Sequence, residues 1–210
     1  MKKFWITLLA MLTLSWPAAA GSWTGCYGGV ALGYASTVTD IGFDISGFTG
    51  SATGLGTDGT VASLRAGCDY QMDRVVIGAW GDYSWLQDHE QSISITGLGS
   101  AAVGIDTMWA AGARAGVTVG SNTLIYALLG YTEAHGTGGL PNLDGLVYGG
   151  GIEVALGGGF TTSLEYRYAD LDKLVLTDGG DTLTFDPNMH MVRAGLTYRF
   201  SFDGTPIQSK

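Results

Sequence analysis

Past its first 20 residues the chain lacks any run of the roughly 20 apolar residues with which a helix crosses a bilayer. What remains is either soluble outside the cytoplasm or held in a membrane as strands. Basic residues are also scarce: ten Lys and Arg stand against nineteen Asp and Glu, a formal net charge of −9. That balance excludes nucleic acid as a partner. Only four prolines occur, whereas glycine reaches 35 of 210 residues in clusters spread along the chain. Many tight turns and close backbone approaches follow, so the composition reads as all-β. The length suits one domain, and no compositional break marks a linker.

The first 20 residues stand apart. Lys2 and Lys3 precede an apolar run from Phe4 to Trp16, and Pro17 leads into Ala18-Ala19-Ala20. This is the charged, apolar and small-residue order of a secretory signal peptide, too short and wrongly flanked for a spanning helix. Cleavage after Ala20 is expected, leaving eight basic and nineteen acidic residues and a net charge of −11.

The rest alternates with period two, the mark of a strand with one apolar side. In the closing stretch, Val192, Ala194, Leu196, Tyr198 and Phe200 are interleaved with Arg193, Gly195, Thr197 and Arg199. Seven further runs behave similarly: 23–34, 61–72, 75–86, 105–118, 122–133, 146–156 and 160–168. Asn122 to Glu133 is apolar on both parities, so its faces stay unassigned. Strands two and three, four and five, and six and seven are joined by Asp73-Arg74, Gly120-Ser121 and Gly157-Gly158-Gly159, which are hairpin turns. The other connections, 35–60, 87–104, 134–145 and 171–187, are long loops.

A soluble ligand-binding barrel would alternate too, so the aromatics decide which solvent the apolar face meets. On that face Tyr34, Trp85, Trp109, Tyr148 and Tyr168 fall at the long-loop ends, and Tyr70, Phe160, Tyr198 and Phe200 at the opposite ends. Two aromatic belts are what two membrane interfaces select. The polar face carries Arg65, Asp69, Asp82, Arg114, Glu153, Glu165, Arg167, Arg193 and Arg199. In a narrow lumen these charges pair; an Arg facing lipid at the midplane would cost about 2–4 kcal/mol. The expected architecture is an eight-stranded antiparallel up-and-down transmembrane β-barrel with short periplasmic turns and four long extracellular loops. A barrel of eight strands is filled by its own side chains, so no wide pore is expected.

Four segments carry a family resemblance. Trp23-Thr24-Gly25-Cys26-Tyr27-Gly28-Gly29-Val30-Ala31-Leu32-Gly33-Tyr34 resembles the opening strand of the small porin-family outer-membrane β-barrels of alpha-proteobacteria. Arg193-Ala194-Gly195-Leu196-Thr197-Tyr198-Arg199-Phe200 is similar to their final strand, and Gly151-Ile152-Glu153-Val154-Ala155-Leu156 and Leu164-Glu165-Tyr166-Arg167-Tyr168-Ala169-Asp170-Leu171 to two strands between. The resemblance implies surface antigens, contributors to envelope integrity and, in some members, haemin binders. It also implies recognition of the final strand by the outer-membrane assembly machinery, and contact with outer-membrane lipid and lipopolysaccharide. Two departures stand out. SFDGTPIQSK follows Phe200 as a short periplasmic tail, residues 201–210, behind a barrel of residues 21–200. Trp80 occupies a lumen position where related sequences carry an acid.

Smaller groups leave alternatives open. Cys26 and Cys68 share the lipid parity, and antiparallel pairing of the first two strands makes them cross-strand neighbours, either bridged or as separate thiols. Trp23 is a poor lipobox residue ahead of Cys26. His89, His135 and His190 all belong to the long-loop side, as a rim able to ligate haemin iron or as three exposed loop histidines. No other cofactor is implied. The loop acids Asp40, Asp44, Asp58, Asp88, Glu90, Asp144, Asp172, Asp178, Asp181 and Asp186 face only Lys173, as a divalent-ion bridge to lipopolysaccharide or as a solvated, mutually repelling surface. No nucleophile motif accompanies the histidines and acids, so no enzyme is expected. The expected role is structural, in envelope integrity and surface interaction, with haemin capture as the alternative; the loops do not name an extracellular partner.

Overall fold

The structure, a computed structural model, describes residues 22–45, 48–87, 90–95, 99–138, 141–178 and 181–200. The expected signal peptide and the tail after Phe200 lie outside the described residues. Ten strands follow in order: β1 (Gly25–Ile45), β2 (Phe48–Met72), β3 (Val75–Gln87), β4 (Glu90–Ile95), β5 (Gly99–Val119), β6 (Thr123–Thr137), β7 (Leu143–Gly157), β8 (Phe160–Leu171), β9 (Leu174–Asp178) and β10 (Asp181–Phe200). All pairings are antiparallel. They run β1-β2-β3-β5-β6-β7-β8-β10, and β10 returns to β1 from Cys26↔Phe200 upward, so the sheet closes. β4 continues the line of β3 along β5, and β9 that of β8 along β10, leaving eight staves.

Three tight turns close the periplasmic end. Asp73, at φ 53°, takes the left-handed conformation required between β2 and β3, one that Asp tolerates better than most residues. Gly157, Gly158 and Gly159 all have positive φ between β7 and β8, where a side chain would be strained. The other ends differ from the expected loops. Most of 35–60, 87–104, 134–145 and 171–187 is strand that continues the staves beyond the wall, to Ile45↔Phe48 at the tip of the first hairpin. In the first hairpin, residues 36–44 are half-buried or exposed on both parities, so the sequence carries no alternation to announce that extension.

Within the wall, alternation and facing agree. Leu32, Leu64, Ile77, Leu129, Ile152, Leu164 and Leu196 point outward and are exposed, as lipid-facing residues must be. The strand whose faces were unassigned, β6, turns Leu124, Tyr126, Leu128, Thr132 and Ala134 inward and Ile125, Leu129 and Tyr131 outward. It is apolar on both sides because Leu124 and Leu128 join an internal apolar cluster that includes Trp80. Gly130 makes room for that Trp80 ring: a Cβ there would stand 2.9 Å from Trp80 Cζ2.

Candidate functional site

The lumen is built in layers. At the periplasmic end Trp23, ahead of β1, folds inward into the same buried cluster as Val76 and Leu124 rather than standing in the wall. Its N–H donates to Gln71 Oε1 at 2.7 Å, and Gln71 N–H returns a bond to Thr24 Oγ1 at 3.0 Å. Its carbonyl accepts from Arg199 Nη1 at 3.0 Å, and its ring lies 4.6 Å from the Arg199 guanidinium.

Above it sits the first ion lattice. Arg114 Nε donates to Asp69 Oδ1 at 2.8 Å and its Nη1 to Glu153 Oε2 at 3.0 Å, with a second bond to Asp69. Arg199 Nη2 reaches the same two carboxylates at 2.8 and 3.1 Å. Tyr27 stacks against both guanidiniums, 4.5 Å from Arg114 and 5.0 Å from Arg199. A second lattice centres on Glu165, which accepts from Arg65, Arg167, Arg193 and the Tyr126 hydroxyl at 2.7–3.2 Å. Asp82 takes Arg167 at 2.7 Å and Arg193 at 3.0 Å, and Trp80 covers Arg167 at 4.1 Å. Trp80 therefore replaces an expected lumen charge with a cation–π contact.

Every polar-face residue read from sequence thus lies in one of these two lattices: Arg65, Asp82, Glu165, Arg167 and Arg193 in the upper, Asp69, Arg114 and Glu153 in the lower, with Arg199 beside them. A buried charge is tolerated only when paired and hydrogen-bonded, and each carboxylate here meets at least two arginines.

Sequence reading missed the layer above. Met108, Met189 and Met191, with Ala35, Val61, Val147 and Ala169, form an apolar plug at the extracellular end of the lumen. Met191 shares its inward parity with Arg193, and that exception to the polar pattern was the available signal. Arg167 and Arg193 are 1% exposed and Met189 and Met191 0%, so side chains fill the lumen from both mouths to its middle. Chemically this is a fixed scaffold of paired ions between two apolar seals.

The rim is less concentrated. His190 on β10 faces outward, its Nδ1 2.7 Å from the Tyr166 hydroxyl and its ring 4.9 Å from that of Tyr168, within the aromatic belt. His135 on β6 is also outward and exposed. β7 and β8 separate the two, so they do not converge, and His89 lies outside the described residues. Among the described residues no group of three His, Cys, Asp or Glu side chains has metal-site geometry. Of the loop acids, Asp186 holds Lys173 at 2.7 Å, a bond that raises the lysine above its ordinary pKa. Cys26 and Cys68 pair directly across β1 and β2 on the outer face and form a disulfide.

A closed wall with an apolar exterior, aromatics at both ends and its charges locked inside is an integral outer-membrane β-barrel. Edge-on or tilted ring pairs, Tyr83–Trp85, Trp109–Tyr131 and Tyr148–Tyr168 in the outer belt and Phe160–Tyr198 opposite, mark the two interfaces. The chain belongs to the outer membrane protein β-barrel domain family, which matches residues 6–200. It is 31% identical to the 31 kDa outer-membrane immunogenic proteins of Brucella melitensis and Brucella suis, over 88% of this chain and 86% of each relative. The outer-membrane protein OprG of Pseudomonas aeruginosa shares the fold at a TM-score of 0.51 and 15% identity, over 87% of this chain and all of that one. The protein is therefore a member of the small alpha-proteobacterial barrel family its motifs resemble, located in the outer membrane.

Proposed function

We propose that this protein is a structural, non-catalytic component of the outer membrane that contributes to envelope integrity and meets the outside through its extracellular hairpins. The observation carrying this reading is the filled lumen: two ion lattices and a methionine-lined plug occupy the space a diffusion channel would need. The barrel's working surfaces are then its lipid-facing wall, which packs with lipid and lipopolysaccharide, and the strands above it. Haemin capture finds little support, because His135 and His190 point outward from strands that are not neighbours.

The test is a deletion strain assayed for uptake of an apolar fluorescent dye, complemented with the full chain, with the purified protein examined in planar bilayers. Increased dye entry restored by the full chain, and no stable porin-sized conductance, is the expected result. A stable conductance of that size, or dye entry unchanged by deletion, would overturn it.

A further inference from the structure

Above the outer belt the barrel does not end evenly. β1 and β10 remain paired as far as Asp44↔Thr182, with β2 on the far side of β1 and β9 on the far side of β10, so the arm is a sheet in the order β2-β1-β10-β9. Pairing of β2 with β3 begins only at Thr60↔Gln87. Over Phe48–Ala52, β2 pairs with β1 alone among the described residues, which leaves its other edge without a partner strand there. An edge strand presents half its peptide groups as a ready template, and proteins usually guard such an edge with lysine, proline or a cover. Phe48-Thr49-Gly50-Ser51-Ala52 has neither of those residues.

A bulge sets this stretch off from the wall. The register shifts between Thr39 and Ile41, where Gly54 has φ 76° and donates its N–H to Asp40 Oδ1 at 2.9 Å. A bulge bends its strand and re-aims what lies beyond. Beyond it the Phe43 ring lies across Gly50, where a Cβ would come within 2.3 Å of the ring, and it stacks on Phe48 with centroids 6.5 Å apart. Phe48 is 74% exposed, a large apolar ring in water beside an open backbone edge.

Charge selects among occupants. Asp40, Asp44, Asp58, Asp181 and Asp186 lie on the arm, and among the described residues the cation beside it, Lys173 just ahead of β9, is held by Asp186. A second copy would bring the same acids together, whereas a basic segment would complement them.

We propose that the outer edge of β2 over Phe48–Ala52 is a docking strand for an extended, basic polypeptide segment, which joins the arm as a further strand and packs an apolar side chain on Phe48. Backbone bonds supply the binding and the aspartates the preference. This rests on the surface-contact part of the function proposed above and names its partner class.

The experiment uses the full barrel in lipid nanodiscs and fluorescence anisotropy with a labelled eight-residue peptide of alternating arginine or threonine and valine. Two comparators accompany it: the same peptide with glutamate for arginine, and the same peptide N-methylated at alternate residues. Saturable binding of the basic peptide is expected, weakened at least tenfold by N-methylation, at least tenfold by charge reversal, and several-fold by Phe48→Ser. No saturable binding, an N-methylated peptide within twofold of its parent, or self-association of the barrel in place of peptide binding would overturn the proposal. The N-methylated comparator leaves the protein unaltered, so misfolding of a variant does not decide the outcome. Dye uptake in the deletion strain is read independently, so loss of peptide binding with restored integrity would sink this inference alone.

Discussion

Below the extracellular belt, each stave has lipid on one face and a packed lumen on the other; above it, the same staves continue with water on both. Neighbouring residues on a single strand therefore have different work to do. On β1, Ala35 is sealed in the lumen, while Phe43 and Asp44 stand on the arm above the wall. The wall stabilises through burial and paired ions. The arm is held by its ladder and a few local contacts, so its sequence is free to answer to what it touches.

Breaking the wall should have the largest effect. Glu165→Ala takes away the carboxylate that Arg65, Arg167 and Arg193 share, leaving only Asp82 for Arg167 and Arg193, and removing one partner of a buried ion group costs about 3–5 kcal/mol. Urea unfolding of the barrel in lipid vesicles is expected to show that loss; a shift under 1 kcal/mol would mean that the lattice is not a structural element. Replacing both cysteines, Cys26→Ser with Cys68→Ser, opens a link spanning 42 residues, and chain-entropy reasoning gives a loss of about 4 kcal/mol, commonly less in practice. Reduction of the parent protein should reproduce the variant's unfolding midpoint. At the small end, Asp40→Ala removes the bond that steadies the arm's bulge, and barrel stability should stay within about 0.5 kcal/mol. Amide exchange should nevertheless quicken over residues 49–54. If that variant unfolded the wall, the two regions would not be the separate units described here.

The same division decides what was readable. In every stave but β6, whose two faces are both apolar, alternation gave parity, belts and lumen charges residue by residue, because a one-residue slip there would put arginine into hydrocarbon. Above the belt no solvent difference imposes a period, and strands such as Thr37–Ile45 and Phe48–Thr57 read as loop. Inside the lumen, charge was legible and shape was not. In sequence Trp23 is the first residue of an alternating run, and its role as the lower seal depends on Arg199, 176 residues away. Met108 and Met191 share the lumen parity with the charges, and together they close its upper end. The histidines share a side of the barrel in sequence, yet His135 and His190 lie on separate staves in space, since parity and strand number, not proximity to a loop, decide which side chains meet.

The seam between β1 and β10 also sets a condition on when this molecule can exist. Every pairing from Cys26↔Phe200 to Asp44↔Thr182 joins the beginning of the barrel to its end. Such contacts have very large sequence separation, and the entropy of bringing the ends together is lost before they give anything in return. Until β10 has been made and delivered, β1 and β8 are both open edges, and Arg193 and Arg199 are absent from the lattices they complete. A truncated or stalled chain is therefore not a smaller barrel but a sheet with two adhesive borders, its lumen carboxylates Asp69, Asp82, Glu153 and Glu165 left to Arg65, Arg114 and Arg167, a species that the cell has reason to chaperone or destroy.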